Sequence, residues 1–293
     1  MEQFELDCRV MIPQFFVVGA PKAGTTSLFK YLSRCHEIFV PRIKEPHFFS
    51  CPEVKDTYYD VHFVESESEY HALYSGVPDG YLAGDFSPSY LFSSLAARRI
   101  RSVREDAKIV ILLRNPVDRA VSHYLMDTRR GVHDLPFSMC LTNTETTRLF
   151  YREYVETGRY ADQVARYLQL FPADQVLVLL YEELQKSTEQ TVCRILKFLG
   201  RPQRFKDPGI RHNAHRDFRF RSLKRLSQSA PARRMAGILP SDARQWLVSA
   251  LTTTKKPEFV KEKKLLKELF EVENRRLGRV IKRDVSHWNE PGS

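Results

Sequence analysis

The sequence has few cysteines, and their spacing excludes two common uses of that residue. There are five in 293 residues, an odd number, and no two of them form a Cys-x-x-Cys pair. The chain therefore matches neither a disulfide-stapled scaffold nor a zinc site. Long apolar runs are missing as well. The longest, Ile109–Leu113 and Val176–Leu180, are far short of the ~18 residues that a membrane span requires.

The N-terminus lacks the pattern of a secretory leader. Its first residues, MEQFELDCRV, are acidic overall and have no basic head followed by an apolar stretch. The sequence also contains no internal repeat and no low-complexity linker. These absences predict a soluble protein of a reducing compartment, with no membrane span. Its composition, 42% hydrophobic and 28% charged, is that of a chain that buries a core.

Charge, by contrast, is plentiful and unevenly placed. There are 46 Lys and Arg against 36 Asp and Glu, a net of +10. Residues 201–234 alone hold eleven basic and two acidic side chains, a net of +9. Such a concentration indicates an anionic ligand, whether a nucleotide, a nucleic acid, a sulfated glycan or a lipid headgroup. A solvated basic surface loop explains the same charge equally well, so charge alone does not identify the ligand.

Three continuous apolar runs predict parallel strands covered on both faces: Phe15–Val18, Lys108–Leu113 and Gln175–Leu180. Each is followed by residues spaced for an amphipathic helix. After the second run, Asn115 is placed to act as N-cap and Pro116 as the first helical residue. This alternation predicts an α/β fold, with a central parallel sheet flanked by helices and right-handed crossovers.

The first predicted strand leads directly into the segment GAPKAGTTS, residues 19–27, after which a helix begins. A strand–loop–helix unit of this kind binds phosphate groups, because backbone N–H groups converge and the helix N-terminus adds positive potential. The segment resembles the ATP-binding P-loop GxxxxGK[ST], with Gly19 and Gly24 correctly spaced. However, Thr25 stands in the place of the P-loop lysine, and the lysine lies inside the loop as Lys22.

The second predicted strand also departs from the ATP-binding pattern. It ends in Arg114, where Walker-B enzymes have an aspartate, and so Thr26 has no acidic partner with which to hold magnesium. The loop is therefore predicted to bind a phosphate-like group other than a magnesium–triphosphate.

Two motifs in this order resemble those of sulfotransferases that use 3′-phosphoadenosine 5′-phosphosulfate (PAPS). GAPKAGTTSL at 19–28 is similar to their 5′-phosphosulfate loop, and LLRNPVDRAVSHY at 112–124 is similar to their 3′-phosphate motif. The resemblance implies that Arg114 and Ser122 clamp the 3′-phosphate, a role suited to the planar fork of arginine. It implies that the phosphosulfate is held by Lys22, Ala23, Gly24, Thr25, Thr26 and Ser27.

A third segment, KEPHFF at 44–49, resembles the part of heparan-sulfate and related sulfotransferases whose glutamate is the base. The resemblance implies that Glu45 is the general base toward the acceptor. His47 is the competing base, because imidazole titrates near neutral pH. GDFSPSY at 84–90 is similar to a following stretch, where Asp85 aligns either the base or an acceptor hydroxyl. His47 and Asp85 are accordingly predicted at the acceptor.

The resemblance covers most of residues 14–288 and implies a single P-loop-type domain over residues 1–293. Its core spans about 14–200, a basic cofactor and acceptor region about 201–243, and a C-terminal helix about 258–283. Within the basic region Arg221 is predicted to supply a second cation to the 3′-phosphate.

These assignments predict in-line transfer of a sulfuryl group from PAPS to an acceptor hydroxyl or amine, with 3′-phosphoadenosine 5′-phosphate (PAP) as product. Glu45 acts as base, Lys22 stabilises the leaving phosphate, and no metal is required. The predicted acceptor is a carbohydrate. Phe86 stands where glycosaminoglycan enzymes often have lysine, which weakens a heparan-type acceptor, and a lipid or small metabolite is the alternative. The sequence leaves the oligomeric state open.

Two other functions fit less of the sequence. A P-loop nucleotide kinase requires lysine at position 25 and an acid at 114, and the chain has neither. A nucleic-acid binder explains the basic region but leaves Lys22 and Glu45 without a role, and no nucleic-acid-binding motif is present, so no nucleic-acid partner is predicted. Met1 and the odd cysteines favour a cytoplasmic enzyme, and the alternative is the luminal domain of an anchored Golgi enzyme.

Overall fold

The computed structural model describes residues 12–51, 53–54, 63–207, 209, 217–218, 252–253 and 257–290. The chain divides into two compact units, one formed by Met1–Ile210 with Lys261–Ser293 and the other by Arg211–Val260. Of the second unit, the structure describes a short antiparallel pair, β6 (Asp217–Phe218) with β7 (Thr252–Thr253). Arg221 lies outside the described residues, as does most of the predicted basic region, and the single-domain organisation stays a prediction.

The first unit contains a five-stranded sheet in the order β2-β3-β1-β4-β5, and every neighbouring pair is parallel. Its strands are β1 (Phe15–Gly19), β2 (Ile38–Phe39), β3 (Leu82–Phe86), β4 (Lys108–Leu113) and β5 (Val176–Leu180). The parallel α/β sheet is thus confirmed, and the three predicted apolar runs are β1, β4 and β5. The sequence did not indicate β2 and β3.

Helices follow most of the strands and cover the sheet. They are α1 (Thr25–Leu32), α2 (Glu67–Ala72), α3 (Ser89–Phe92), α4 (Ala96–Val103), α5 (Pro116–Arg130), α6 (Phe137–Cys140), α7 (Arg148–Tyr154), α8 (Tyr160–Leu170), α9 (Tyr181–Lys186), α10 (Thr188–Phe198) and α11 (Val260–Ile281). The last of these is the predicted C-terminal helix, slightly shorter than expected. None of the helices in the described ranges combines the length and the apolar character needed to cross a membrane.

The strand order indicates the edge of the sheet at which a ligand is expected to bind. From β1 the chain passes to β2 and β3 on one side of the sheet, and then to β4 and β5 on the other. At such a reversal the connections leaving the carboxyl ends of the strands diverge, and the crevice between them is where open α/β sheets bind ligands. The segments that leave this edge are the loop after β1, the turn after β3, and residues Arg114 and Tyr181 after β4 and β5.

The centre of the sheet is fully buried on both faces. Phe15–Val18 and Ile109–Leu113 have no exposed surface, and each large apolar side chain buried in this way contributes about 1.5–3 kcal/mol. Phe15 pairs with Gly84 across β1 and β3, and a Cβ at Gly84 would lie 2.1 Å from the Phe15 ring. The core therefore requires glycine in the middle of β3.

The start of α5 is built as the sequence predicts. The side chain of Asn115 accepts a hydrogen bond from the N–H of Val117 at 3.0 Å, and Pro116 is the first helical residue. The helix ends at Gly131, which adopts the left-handed conformation with φ of 75°. Since Asn115 follows directly on Arg114, this cap fixes where the helix leaves the edge of β4.

Candidate active site

The loop between β1 and α1 is anchored to the sheet and ends on a glycine. The N–H of Ala20 donates to the carbonyl oxygen of Leu112 on β4, at 2.6 Å. Gly24 caps α1 with φ of 97°, and Lys22 within the loop has φ of 65°. The N–H of Ala23 donates to Ala20 at 3.2 Å, so this predicted phosphate donor closes a turn within the loop. The first N–H groups of α1, from Thr25 and Thr26, have no acceptor in their own helix.

Tyr181, the first residue of α9, forms one wall of the loop. A Cβ on Gly24 would lie 2.8 Å from its ring, and the guanidinium of Arg114 stands 4.8 Å from the ring centroid. The sequence analysis assigned Tyr181 no role. The available signal was its position directly after β5, at the same edge of the sheet as the loop.

Arg114 supports the loop from the end of β4. One of its guanidinium nitrogens donates to the carbonyl oxygen of Lys22 at 3.1 Å, and another lies 4.0 Å from the carboxylate of Asp118. Its Nε is buried and has no hydrogen-bond partner among the described residues. Ser122, its predicted partner in a phosphate clamp, lies half-buried on α5. The clamp itself stays a prediction.

The ammonium of Lys22 lies against α5, where Nζ donates to the sulfur of Met126 at 3.1 Å. Burial lowers the pKa of Lys22 to about 8; Arg130 lowers this pKa further, while the carboxylate of Asp127 opposes the shift. A cation in surroundings that disfavour its charge gains more from an incoming anion than a solvated lysine does. The pairing with Met126 was not predicted, because a thioether in a helical pattern usually signals packing.

Buried polar contacts hold α5 in position behind this lysine. The guanidinium of Arg119 donates to the carbonyl oxygen of Tyr154 on α7 at 2.5 Å, and the hydroxyl of Tyr154 donates to Asp127 at 2.7 Å. Both charged side chains are fully buried. Because both side chains bind Tyr154 of α7, they fix the position of the face of α5 that carries Met126.

A second segment, Lys44–His47, carries the predicted base, and we refer to it as the strap. Glu45 and His47 both adopt left-handed backbone conformations, with φ of 64° and 57°. The ammonium of Lys44 contacts one oxygen of the Glu45 carboxylate, and Nε2 of His47 lies 3.9 Å from the other. Burial lowers the pKa of Lys44 to about 8, and the nearby charge of Lys22 acts in the same direction. Lys22 of the loop and Lys44 of the strap are therefore within electrostatic reach of each other.

Asp85 fastens the strap to β3. Its carboxylate is fully buried and accepts hydrogen bonds from the hydroxyls of Tyr70 and Tyr90, each at 2.8 Å, and of Ser87 at 2.7 Å. The Ser87 oxygen in turn accepts the backbone N–H of His47 at 3.2 Å. Burial raises the pKa of Asp85 to about 6, and the three hydroxyl donors limit that rise.

These contacts correct one expectation. The sequence analysis placed Asp85 at the acceptor, but a side chain with no exposed surface and three hydroxyl partners cannot reach an acceptor in this structure. Of the two roles considered for it, aligning the base is the one that its contacts fit.

His47 lies beside the predicted base and is itself mostly buried. Its Nδ1 is 2.6 Å from the hydroxyl oxygen of Ser89, the first residue of α3. Burial lowers the pKa of His47 to about 4, and the neighbouring Lys44 contributes to the same shift. The imidazole is therefore neutral near physiological pH. The sequence analysis did not single out Ser89, although it lies in the quoted GDFSPSY segment.

The described parts of the chain contain no group of three or more His, Cys, Asp and Glu side chains placed to hold a metal ion. Donor binding without a metal is not tested by this observation and stays a prediction.

Comparison with known proteins agrees with this geometry. The profile of the Sulfotransferase domain family matches residues 12–277. The mouse heparan sulfate glucosamine 3-O-sulfotransferase 6 is 30% identical over 215 residues, which is 72% of this chain and 58% of that enzyme. The human bifunctional heparan sulfate N-deacetylase/N-sulfotransferase 2 is 27% identical over 205 residues, covering 64% of this chain and 22% of that protein. The match thus spans little more than half of the first of these relatives and less of the second.

Among solved structures, a sulfotransferase from Alicyclobacillus acidocaldarius superposes with a TM-score of 0.74 at 31% identity. The superposition covers 96% of this chain and 100% of that one.

Proposed function

Because the chain belongs to the sulfotransferase domain family, we propose that it transfers a sulfuryl group from PAPS to an acceptor hydroxyl or amine and releases PAP. One observation carries the proposal. A lysine whose pKa is lowered to about 8, Lys22, lies in a glycine-capped loop at the carboxyl edge of the sheet and within electrostatic reach of the Lys44–Glu45 pair. A cation for a leaving phosphate and a carboxylate for an acceptor proton are the two groups that such a transfer needs.

The residues present fit a nucleotide that carries one phosphate on the 5′ side of its ribose and another on the 3′ side. At one end, α1 offers the N–H groups of its first turn, and Thr25, Thr26 and Ser27 carry hydroxyls there. At the other, Arg114 has a buried Nε with no hydrogen-bond partner in the described part of the chain, which a phosphate oxygen would satisfy, and Ser122 lies on the adjoining helix. Arg114 and Tyr181 also pack together beside Gly24, so the loop keeps its shape before the donor arrives.

Lys22 and Glu45 divide the chemistry. The donor supplies an activated sulfuryl group, and the protein has to position the reactants, neutralise the leaving phosphate and accept one proton. Lys22 would neutralise charge on the phosphate oxygen from which the sulfuryl group departs. Glu45 would take the proton of the acceptor as its oxygen or nitrogen bonds to sulfur. The ammonium of Lys44 contacts the Glu45 carboxylate, so a cation stands beside the proposed base.

A carbohydrate is the proposed acceptor. The curated relatives reported above carry heparan sulfate in their names, and the Glu45 side chain is 37% exposed, as access for a large acceptor requires. Transfer of labelled sulfate from PAPS to a panel of glycans, glycolipids and small hydroxyl compounds tests this. Incorporation confined to the lipids or small compounds would replace the carbohydrate by the corresponding acceptor.

We expect PAP to bind tightly without magnesium and ATP to compete poorly. Lys22 stands inside the loop and Arg114 occupies the place of a Walker-B acid, so the site offers cations to phosphates and has no acid at the Walker-B position. Calorimetric titration of PAP and of ATP, each with and without magnesium, measures the preference. Tighter binding of magnesium–ATP than of PAP would reject the sulfotransferase and favour the nucleotide kinase.

PAP affinity should also fall as pH rises above about 8. The pKa of Lys22 in the free protein is about 8, so above that pH the amine is neutral and must take up a proton when phosphate binds. Lys44, with a pKa of about 8, acts in the same direction. We expect the dissociation constant to rise by up to about tenfold per pH unit. Calorimetry in two buffers of different ionisation enthalpy measures the proton uptake directly.

Lys22→Arg provides the control for this titration, because arginine keeps its charge throughout the range. Proton uptake should then fall to whatever Lys44 contributes. Affinity that does not change between about pH 7 and about pH 9, without proton uptake, would contradict the assignment of Lys22 to the phosphate.

A further inference from the structure

The His47 ring is held by a closed series of hydrogen bonds. Its Nδ1 lies 2.6 Å from the hydroxyl oxygen of Ser89, and that oxygen lies 2.8 Å from the hydroxyl oxygen of Ser50. Ser50 in turn lies 3.0 Å from the carbonyl oxygen of His47 itself. The two serines come from different elements, a short 3₁₀ turn at Phe48–Ser50 and the start of α3. We refer to this series as the serine relay.

The direction of every bond in the relay follows from its last member. A carbonyl oxygen has no proton to give, so the Ser50 hydroxyl donates to His47. Having used its one proton, Ser50 accepts from Ser89. Ser89 has then used its proton too, and its oxygen accepts from the ring. The ring nitrogen Nδ1 of His47 is therefore the protonated one.

The other ring nitrogen is turned toward the proposed base. Because the pKa of His47 is lowered to about 4, the ring is neutral near physiological pH and carries a single N–H. With that proton on Nδ1, Nε2 has a lone pair, and it lies 3.9 Å from the carboxylate oxygen of Glu45 that Lys44 does not contact.

We propose that Ser89 and Ser50 are positioning residues that fix the Nδ1–H tautomer of His47, so that a lone pair and not an N–H faces Glu45. This role rests on the proposed function of Glu45 as base. In the opposite tautomer an N–H would donate to the carboxylate and make it less basic. In the fixed tautomer, Nε2 offers its lone pair to the carboxyl O–H that forms when Glu45 takes the acceptor proton, once the two groups close from 3.9 Å to hydrogen-bond distance. One O–H or N–H bond of the acceptor breaks, one O–H bond of Glu45 forms, and the imidazole gains and loses no proton.

Long-range ¹H–¹⁵N correlation spectra of the full chain, labelled with ¹⁵N-histidine, test the tautomer directly. His47 is one of nine histidines, and a His47→Gln spectrum assigns it by difference. In the unmutated protein near neutral pH, Nδ1 should carry the proton. Ser89→Ala should move His47 toward the Nε2–H form, and Ser89→Thr, which restores a hydroxyl, should return it. Ser50→Ala interrupts the relay at its next member and should act as Ser89→Ala does.

The variants that change the tautomer of His47 should also lower turnover. Ser89→Ala should lower kcat about tenfold with PAP affinity unchanged, as the loss of one positioning hydrogen bond does. Ser102→Ala is the matched control, since this exposed serine on α4 donates, among the described residues, to the carbonyl oxygen of Arg99 alone. An Nε2–H tautomer in the unmutated protein, or one that does not change in Ser89→Ala and Ser50→Ala, would overturn the inference. Failure of the proposed function would appear elsewhere, as absent PAP binding with the tautomer as described.

Discussion

Lys22→Met should lower kcat about 100- to 1,000-fold, the usual cost of removing one preorganised group that stabilises developing charge. The lysine is half-buried and lies in the loop that follows β1. Among the described residues, the one hydrogen-bond partner of its Nζ is the sulfur of Met126. Asp127 stabilises part of its charge, and a bound anion would balance the rest. Methionine keeps the length and the apolar stem of lysine and removes the ammonium, so the loop should keep its shape.

The measurement is transfer of labelled sulfate from PAPS to the best acceptor of the panel, together with calorimetric titration of PAP. Affinity for PAP should also fall in Lys22→Met, but less than turnover, because Arg114 and the N-terminus of α1 still hold the nucleotide. Lys30→Ala, at an exposed position of the same helix, is the control and should be near wild type. Near-wild-type turnover in Lys22→Met would remove Lys22 from the chemistry.

Glu45→Gln should lower kcat about 100- to 10,000-fold, the range that a positioned general base contributes. Glutamine matches the size and polarity of glutamate but cannot take the acceptor proton. PAP affinity should be nearly unchanged, because Glu45 belongs to the strap, whereas the proposed nucleotide residues lie in the loop, at the end of β4 and on α5. This separation of turnover from binding is what distinguishes a base from a residue that holds the donor.

The same sulfate-transfer and calorimetric measurements apply to Glu45→Gln. Glu67→Gln, an exposed carboxylate of α2, controls for the loss of one negative charge. If Glu45→Gln turns over at the wild-type rate, the base lies elsewhere, and His47, whose lone pair faces the same space, is the next candidate.

The sequence predicts a strand when the residues of that strand alone explain its pattern, and fails when the pattern depends on residues far away in the chain. β1 and β4 were predicted because both of their faces are covered, which leaves continuous apolar runs, and β5 carries such a run although its first three residues are half-buried. β3 was missed because Gly84 and Asp85 interrupt its pattern. Both residues are explained only by tertiary neighbours: the Phe15 ring occupies the space above the glycine, and three hydroxyls surround the aspartate.

The candidate site likewise contains residues that local motifs predict and residues that they do not. Lys22, Arg114 and Glu45 lie in short motifs whose chemistry can be read from adjacent residues. Met126, Tyr181 and Ser89 could not be found in this manner, because each acts on a partner far away in the sequence. The contact between Lys22 and Met126 spans 104 positions, and that between His47 and Ser89 spans 42. Such pairs are set by the order of the strands and by where each helix begins, which no local pattern encodes.

The anchoring of the strap through Asp85 has a consequence for how this protein could change its acceptor. Asp85 pairs with Phe16 across β3 and β1, and β1 leads directly into the loop that carries Lys22. The distance between the two proposed reactive groups, Glu45 and Lys22, is thus set by two adjacent strands, which lie about 4.8 Å apart in any sheet. Segments outside the loop, the strap and these two strands do not set this distance. Evolution or design could therefore exchange them to reach new acceptors while the distance between the two reactive groups stays the same.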